Sequence, residues 1–258
     1  MWTFLVVAVV ITVIAWVAYV RGQKVRAQAL AGPAAEFGLL PVTELPAELP
    51  PFPLLNTGTN RRASMIMRGV ARGVDLVVCD YTFYESPGFS YHALRYREDF
   101  MTATIACPKV TGQKLPPFTL EPDLAAAAKE AEAAVAERVG DGMVGSVAKA
   151  VMTVATGIAG LQSGWRFPDR PDVKYVVRGD ETVTRPIFTP RLLDFLRDHP
   201  DWVVEGQGEW LLVTLSWQVR KATLTQNQWE NESGALRPEQ FGMLIRTALE
   251  MAEAFRRA

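Results

Sequence analysis

The longest apolar stretch of the chain lies at its beginning. The run from Trp2 to Val20 has no charged residue, no proline and no glycine. As a helix it would extend about 28 Å, close to the hydrocarbon thickness of a bilayer. The basic residues Arg21, Lys24 and Arg26 follow the run, and none precedes it. This pattern predicts a single transmembrane helix with Trp2 and Val20 at its ends, a basic flank, and a cytoplasmic C-terminal domain.

A cleavable signal peptide is the alternative interpretation of this run. The triplet Ala29–Leu30–Ala31 resembles a cleavage site. However, signal peptides carry positive charge before an apolar run of only about 7–15 residues. We therefore interpret the run as an anchor that is retained.

A proline-rich segment separates the predicted anchor from the rest of the chain. The first helix should end at Gly32–Pro33, with one more turn as an option at Ala34–Phe37. Five prolines then occur between Pro41 and Pro53, with leucine and phenylalanine among them, which predicts an extended tether packed on the domain. The expected organisation is an anchor with its juxtamembrane helix at 1–31, a tether at 32–58 and one soluble domain at 59–258.

Short apolar runs separated by turn residues predict an antiparallel sheet. Ala63–Val70 and Val74–Tyr84 flank Ala71–Arg72–Gly73, which is the spacing of a hairpin. The second of these runs is apolar on nearly every residue, which is typical of a central strand covered on both faces. The other predicted strands are Met101–Cys107, Val173–Val177, and a second hairpin of Trp202–Glu205 and Trp210–Val219 around Gly206–Gln207–Gly208.

Helical periodicity predicts four helices in the domain. They are Pro122–Val139 with Asp123 as its cap, Met143–Leu161, Pro190–Asp198, and a last helix that begins at Pro238. The first two form an Ala/Gly-rich helical segment at 123–164. For Met143–Leu161 three interpretations stay open: packing on the sheet, self-association or contact with the membrane surface, and a second span.

The order of these elements predicts the fold class. Strands arrive mostly as adjacent hairpins, and helices are appended rather than inserted between parallel strands. We therefore expect an α+β protein: an N-terminal transmembrane helix plus one domain with a mainly antiparallel sheet and helices packed on one face. The regular βαβ units of a nucleotide-binding fold are missing.

Charge and cysteine content restrict the classes of partner. The net charge is −1, so no electrostatic attraction would gather nucleic acid. Cys79 and Cys107 lie in apolar, strand-like runs, where buried free thiols are expected. A disulfide between them is the alternative, and it would need an oxidising compartment.

Sequence motifs of catalysis are absent, which disfavours an enzyme. The chain has no GxxxxGK[ST] phosphate loop, no GxGxxG after a strand and no HExxH motif, so we predict neither a cofactor nor a metal. The most suggestive region is the rim from Asp80 to Tyr96. Its candidate ligand-binding residues are Asp80, Tyr84, His92 and Arg95. The structural alternative is a hairpin end whose tyrosines cover a sheet edge.

Four sequence pieces carry a resemblance to a known group of proteins. They are the hairpin from Met67 to Tyr81, Leu115–Pro122, Ile187–Thr189 and Val204–Gly206, which follow the N-terminal apolar run. With these pieces the chain resembles an uncharacterised family of bacterial single-span membrane-anchored proteins. The resemblance implies no activity.

These observations predict a membrane-tethered, non-enzymatic interaction or scaffold domain at the cytoplasmic face of a bacterial inner membrane. The expected partners are the lipid bilayer and either another protein or a second copy of the chain. The alternative function is a small-ligand-sensing or enzymatic domain that uses the Asp80–Tyr96 rim.

Overall fold

The computed structural model describes residues 2–85, 99–123, 125–126, 129, 163–215 and 236–257. Its strands are β1 (Leu40–Pro41), β2 (Thr59–Ala71), β3 (Val74–Glu85), β4 (Asp99–Pro108), β5 (Leu115–Pro122), β6 (Tyr175–Arg178), β7 (Trp202–Gly208) and β8 (Trp210–Leu215). Its α-helices are α1 (Trp2–Glu36), α2 (Glu181–Thr184), α3 (Pro190–Asp198) and α4 (Pro238–Arg256), and short 3-10 helices occupy Leu54–Asn56 and Arg185–Ile187.

The eight strands form one sheet in the order β1-β2-β3-β4-β8-β7-β5-β6. Every pairing between the described strands is antiparallel. The α+β class and the antiparallel sheet are therefore confirmed. The long hairpin of β2 and β3 turns at Arg72 and Gly73, both with positive φ, as the hairpin spacing predicts.

One face of the sheet packs against helices. Leu30 and Ala34 of α1, Leu192 and Leu196 of α3, and the apolar stripe of α4 are all buried against it in the main core. The stripe of α4 comprises Phe241, Leu244, Ile245, Ala248, Leu249, Ala252 and Phe255. Amphipathic spacing thus places α3 and α4 on the sheet.

The opposite face of the sheet packs against the proline-rich segment. Phe52 is fully buried there, and Leu45, Leu49, Leu54 and Leu55 lie partly buried around it. On β3, side chains alternate between this face and the helix-covered face, which explains why nearly every residue of the strand is apolar.

The second hairpin turns later than the sequence predicts. β7 continues through Gly206, which pairs with Leu211, and only Gly208 adopts a positive φ, of 61°. Gly206 lies against the ring of Phe118, which occupies the space that a side chain at this position would need. This glycine is therefore required for close packing and not for the turn.

The N-terminal helix differs from its prediction in length and in class. α1 is continuous for 35 residues and passes through Gly32–Pro33 to end at Glu36. Its last turns belong to the folded domain, since Leu30 and Ala34 are buried and Arg26 contacts the sheet. Among the described residues no helix is long and apolar enough to cross a membrane. The prediction of a transmembrane helix from Trp2 to Val20 is therefore wrong. The apolar run is one half of a longer helix, and the other half carries charged residues and docks on the sheet.

The Ala/Gly-rich segment 123–164 falls almost entirely outside the described residues, and this includes the predicted helix Met143–Leu161. The first residues of the predicted helix Pro122–Val139 are described. The carboxylate of Asp123 accepts hydrogen bonds from the backbone N–H groups of Ala125, at 3.0 Å, and Ala126, at 3.2 Å. Asp123 is thus confirmed as the N-cap.

Candidate functional site

Asp80 is a buried carboxylate in the middle of the sheet. It lies on β3 directly after Val78 in the row of side chains that faces the helices, and it is 4% exposed. Its neighbours across the two adjacent strands are Ser64 on β2 and Thr104 on β4. A charge at this depth requires a partner, because removing an ion from water is costly.

Arg26 of α1 supplies that partner in a two-pronged ion pair. Its Nη2 donates to Asp80 Oδ1 at 2.9 Å, and its Nε donates to Asp80 Oδ2. The hydroxyl of Thr104 also donates to Asp80 Oδ1, at 2.6 Å. Both carboxylate oxygens are therefore occupied, so this group is arranged to hold a helix and not to act as a general acid or base.

The same cluster holds the chain just before α4. Arg26 Nη1 donates to the carbonyl of Leu236 at 2.9 Å, and the N–H of Leu236 donates to Thr104 Oγ1 at 3.2 Å. One guanidinium group thus joins α1, the sheet and the residues that precede α4. We call Arg26, Asp80, Thr104 and Leu236 the docking cluster.

The sequence predicts separate roles for Arg26 and Asp80, and the structure brings the two residues together. Two patterns could have indicated this contact. A single carboxylate interrupts an otherwise apolar strand, and Arg26 lies four and eight residues before Leu30 and Ala34, on the helix face that is buried.

Of the other predicted rim residues, only Tyr84 belongs to the described part of the chain. Tyr84 lies on β3, opposite Thr59 on β2 and Phe100 on β4. His92 and Arg95 fall outside the described residues. A ligand-binding role for these three residues stays a prediction.

The N-terminal half of α1 presents an apolar surface. Eight large hydrophobic side chains between Val7 and Val17 are 49% to 65% exposed, namely Val7, Val9, Val10, Ile11, Val13, Ile14, Trp16 and Val17. At 100° per residue these positions surround the helix instead of forming one stripe. Arg21 and Lys24, which follow directly, are exposed. We call this segment, from Val7 to Lys24, the apolar half with its basic flank.

A second buried carboxylate lies under the proline-rich segment. Glu205 on β7 is 4% exposed, and both of its oxygens lie 3.1 Å from the backbone N–H of Leu54. Burial raises the pKa of Glu205 to about 7; the Leu54 N–H opposes this rise, and the charge of Glu121 adds to it. The sequence offered no indication of this site beyond a glutamate inside a strand.

The two cysteines lie close together on the sheet face that the proline-rich segment covers. Cys79 is opposite Ile105, and Cys107 is opposite Val77, so the two thiols are diagonal neighbours. Both are free and buried, and burial raises the pKa of each thiol. They are therefore poor nucleophiles. Within the described residues, no group of three or more His, Cys, Asp or Glu side chains is arranged to hold a metal.

No family model and no curated protein matches the chain. Among solved structures, the chain is similar to the crystal structure of the mycobacterial trehalose monomycolate transport factor A, TtfA. The two share 13% sequence identity at a TM-score of 0.43, over 89% of this chain and 92% of that one. A similarity of this degree carries no conclusion about activity or partners, and the resemblance to an uncharacterised bacterial family stays a prediction.

Proposed function

We propose that the protein is a non-enzymatic interaction domain held at a lipid surface by the apolar half of α1. The observation that carries the proposal is the set of eight exposed large apolar side chains between Val7 and Val17. The proposed contact is an association of this surface with lipid, and it does not require a helix that crosses the bilayer.

The exposed apolar side chains are numerous enough to bind lipid. If each of the eight contributed about 1 kcal/mol on leaving water, the total would exceed the roughly 5.5 kcal/mol of a single myristoyl anchor. Because the exposed apolar side chains lie on every side of the helix, it can meet a lipid surface in more than one rotation about its axis.

The basic flank favours an anionic lipid surface in particular. Arg21 and Lys24 are exposed beside the apolar half, whereas Arg26 is committed to Asp80. Each basic residue near an anionic membrane contributes about 1 kcal/mol. The docking cluster then fixes the domain to the lipid-bound helix, which is what a scaffold needs in order to present its surface in one orientation.

Vesicle flotation of the full chain tests this proposal. We expect the protein to float with phosphatidylcholine vesicles and more strongly when phosphatidylglycerol is added. Val10→Asp combined with Ile14→Asp should reduce flotation at least about ten-fold, because two charges would have to enter the acyl region. Both side chains are exposed, so the fold should be unaffected.

The matched control places two aspartates on other exposed apolar side chains. Leu40→Asp combined with Val183→Asp should float like the unchanged protein, since these residues lie on β1 and α2. Equal flotation of both double variants would overturn the proposal. A defined oligomer that forms through α1 without any lipid binding would also overturn the proposal. It would show that the apolar half binds a second copy of the chain.

We further propose that the domain works in the bacterial cytoplasm. Two adjacent free thiols suit a reducing compartment, and the cytoplasmic leaflet is the anionic one. An alkaline phosphatase fused after Ala258 should therefore be inactive in cells, while a fluorescent protein at the same position should be bright. An active phosphatase fusion would place the domain outside the cytoplasm.

A further inference from the structure

A cavity lies at the C-terminal end of α4, beside the turn that joins β2 and β3. Its volume is about 310 Å³, at the lower end of the range for small-molecule sites. Its lining residues are Arg72, Val74, Leu249, Glu253, Arg256 and Arg257. Three arginines therefore line one small cavity, with Val74 and Leu249 as apolar members of its wall.

The charges around this cavity do not cancel. Arg257 forms an ion pair with Glu253, one turn earlier on α4. Arg72 and Arg256 form no ion pair within the described part of the chain. Three positive charges against one negative charge leave a local charge of about +2 at neutral pH.

The helix dipole explains only part of this arrangement. Arg256 and Arg257 lie at the C-terminal end of α4, where cations are favourable beside the free carbonyl groups. Arg72, in contrast, comes from the β2–β3 turn and not from α4. Arg72 lines the same cavity as the other two arginines.

We propose that this cavity binds a phosphate group. Arginine matches phosphate oxygens with paired N–H donors, and several arginines converging from separate elements are typical of phosphate sites. The negative charge of Glu253 opposes an anion, but its ion pair with Arg257 already neutralises it. The proposal does not depend on lipid binding by α1.

The phosphate could belong to a soluble phosphate monoester or to a lipid headgroup, and the apolar wall makes the two distinguishable. A glycerol phosphate would use the arginines alone. A phosphatidic acid would also bring acyl carbons to Val74 and Leu249.

Calorimetric titration of the full chain tests the proposal with three probes at constant ionic strength: inorganic phosphate, glycerol 3-phosphate and monomeric dihexanoyl phosphatidic acid. We expect saturable binding of at least one probe. Arg72→Gln combined with Arg256→Gln should weaken that binding at least about five-fold, because each removes charge-assisted hydrogen bonds. Arg246→Gln is the matched control, since Arg246 is an exposed arginine of α4 that does not line the cavity.

The relative affinities identify the source of the phosphate. Dihexanoyl phosphatidic acid binding about ten-fold tighter than glycerol 3-phosphate would indicate a lipid headgroup, and equal or weaker binding would indicate a soluble ligand. The proposal is overturned if no probe binds, or if the cavity variant and Arg246→Gln bind equally well. Circular dichroism of each variant confirms that the fold is retained.

Discussion

Replacing Arg26 with methionine is expected to lower the free energy of unfolding by about 3–5 kcal/mol, because the substitution leaves the Asp80 carboxylate buried without its counter-ion. Asp80 is 4% exposed, and its other described side-chain partner is the neutral hydroxyl of Thr104. The carbonyl of Leu236 also loses its guanidinium donor. Denaturant titration of the full chain measures the effect.

Two further variants separate the docking cluster from a general effect of losing an arginine. Arg178→Met removes an ion pair with Glu121, in which the arginine side chain is 50% exposed, and should cost less than about 1 kcal/mol. The double variant Arg26→Met with Asp80→Leu should recover most of the loss, since apolar pairs often replace buried ion pairs without cost. A cost for Arg26→Met that equals that of Arg178→Met would contradict the assigned role of the cluster.

The second large effect concerns Glu205 and pH. Its pKa is raised by burial from 4.5 to about 7 in the folded protein. A raised pKa means that the folded state favours the protonated carboxyl, so this contribution to stability is complete below about pH 4.5 and is lost as the pH rises through about 7. Between about pH 5 and pH 8 the expected loss of unfolding free energy from this group is on the order of 2–3 kcal/mol.

Glu205→Gln should remove that part of the pH dependence. The amide keeps an oxygen that can accept from the Leu54 N–H but cannot ionise. We therefore expect the variant to match the unchanged protein near pH 5 and to exceed it in stability near pH 8, as measured by thermal or denaturant unfolding. Glu209→Gln, at a glutamate whose side chain is 40% exposed, should leave the difference between the two pH values unchanged. Parallel pH profiles for Glu205→Gln and the unchanged protein would contradict the prediction.

Local patterns predicted most of the sheet. The alternation and turn residues around Arg72 and Gly73 indicated the first hairpin, and the all-apolar β3 indicated a strand covered on both faces. The helix at Pro190–Asp198 and the start of α4 at Pro238 follow directly from periodicity and from proline at the first helical position. These features are predictable because each is determined by residues close together in sequence.

Features that depend on distant contacts were not predictable in the same way. The end of α1 was placed at Gly32–Pro33, but the burial of Leu30 and Ala34 stabilises the helix as far as Glu36. The prediction of a transmembrane helix considered Trp2–Val20 alone, whereas the same helix continues to Glu36 and its second half docks on the sheet. The Arg26–Asp80 pair joins residues 54 positions apart, and the Glu205–Leu54 contact joins residues 151 positions apart. No local pattern contains either contact.

The contact between Arg26 and Leu236 has a consequence for the timing of synthesis. The two residues are 210 positions apart, so α1 leaves the ribosome long before the residues that complete its docking exist. At about 5–20 residues per second, this interval lasts roughly 10–40 s. During that time the docking of α1 is incomplete, and the segment from Val7 to Val17 has the opportunity to associate with lipid before the contact between Arg26 and Leu236 forms.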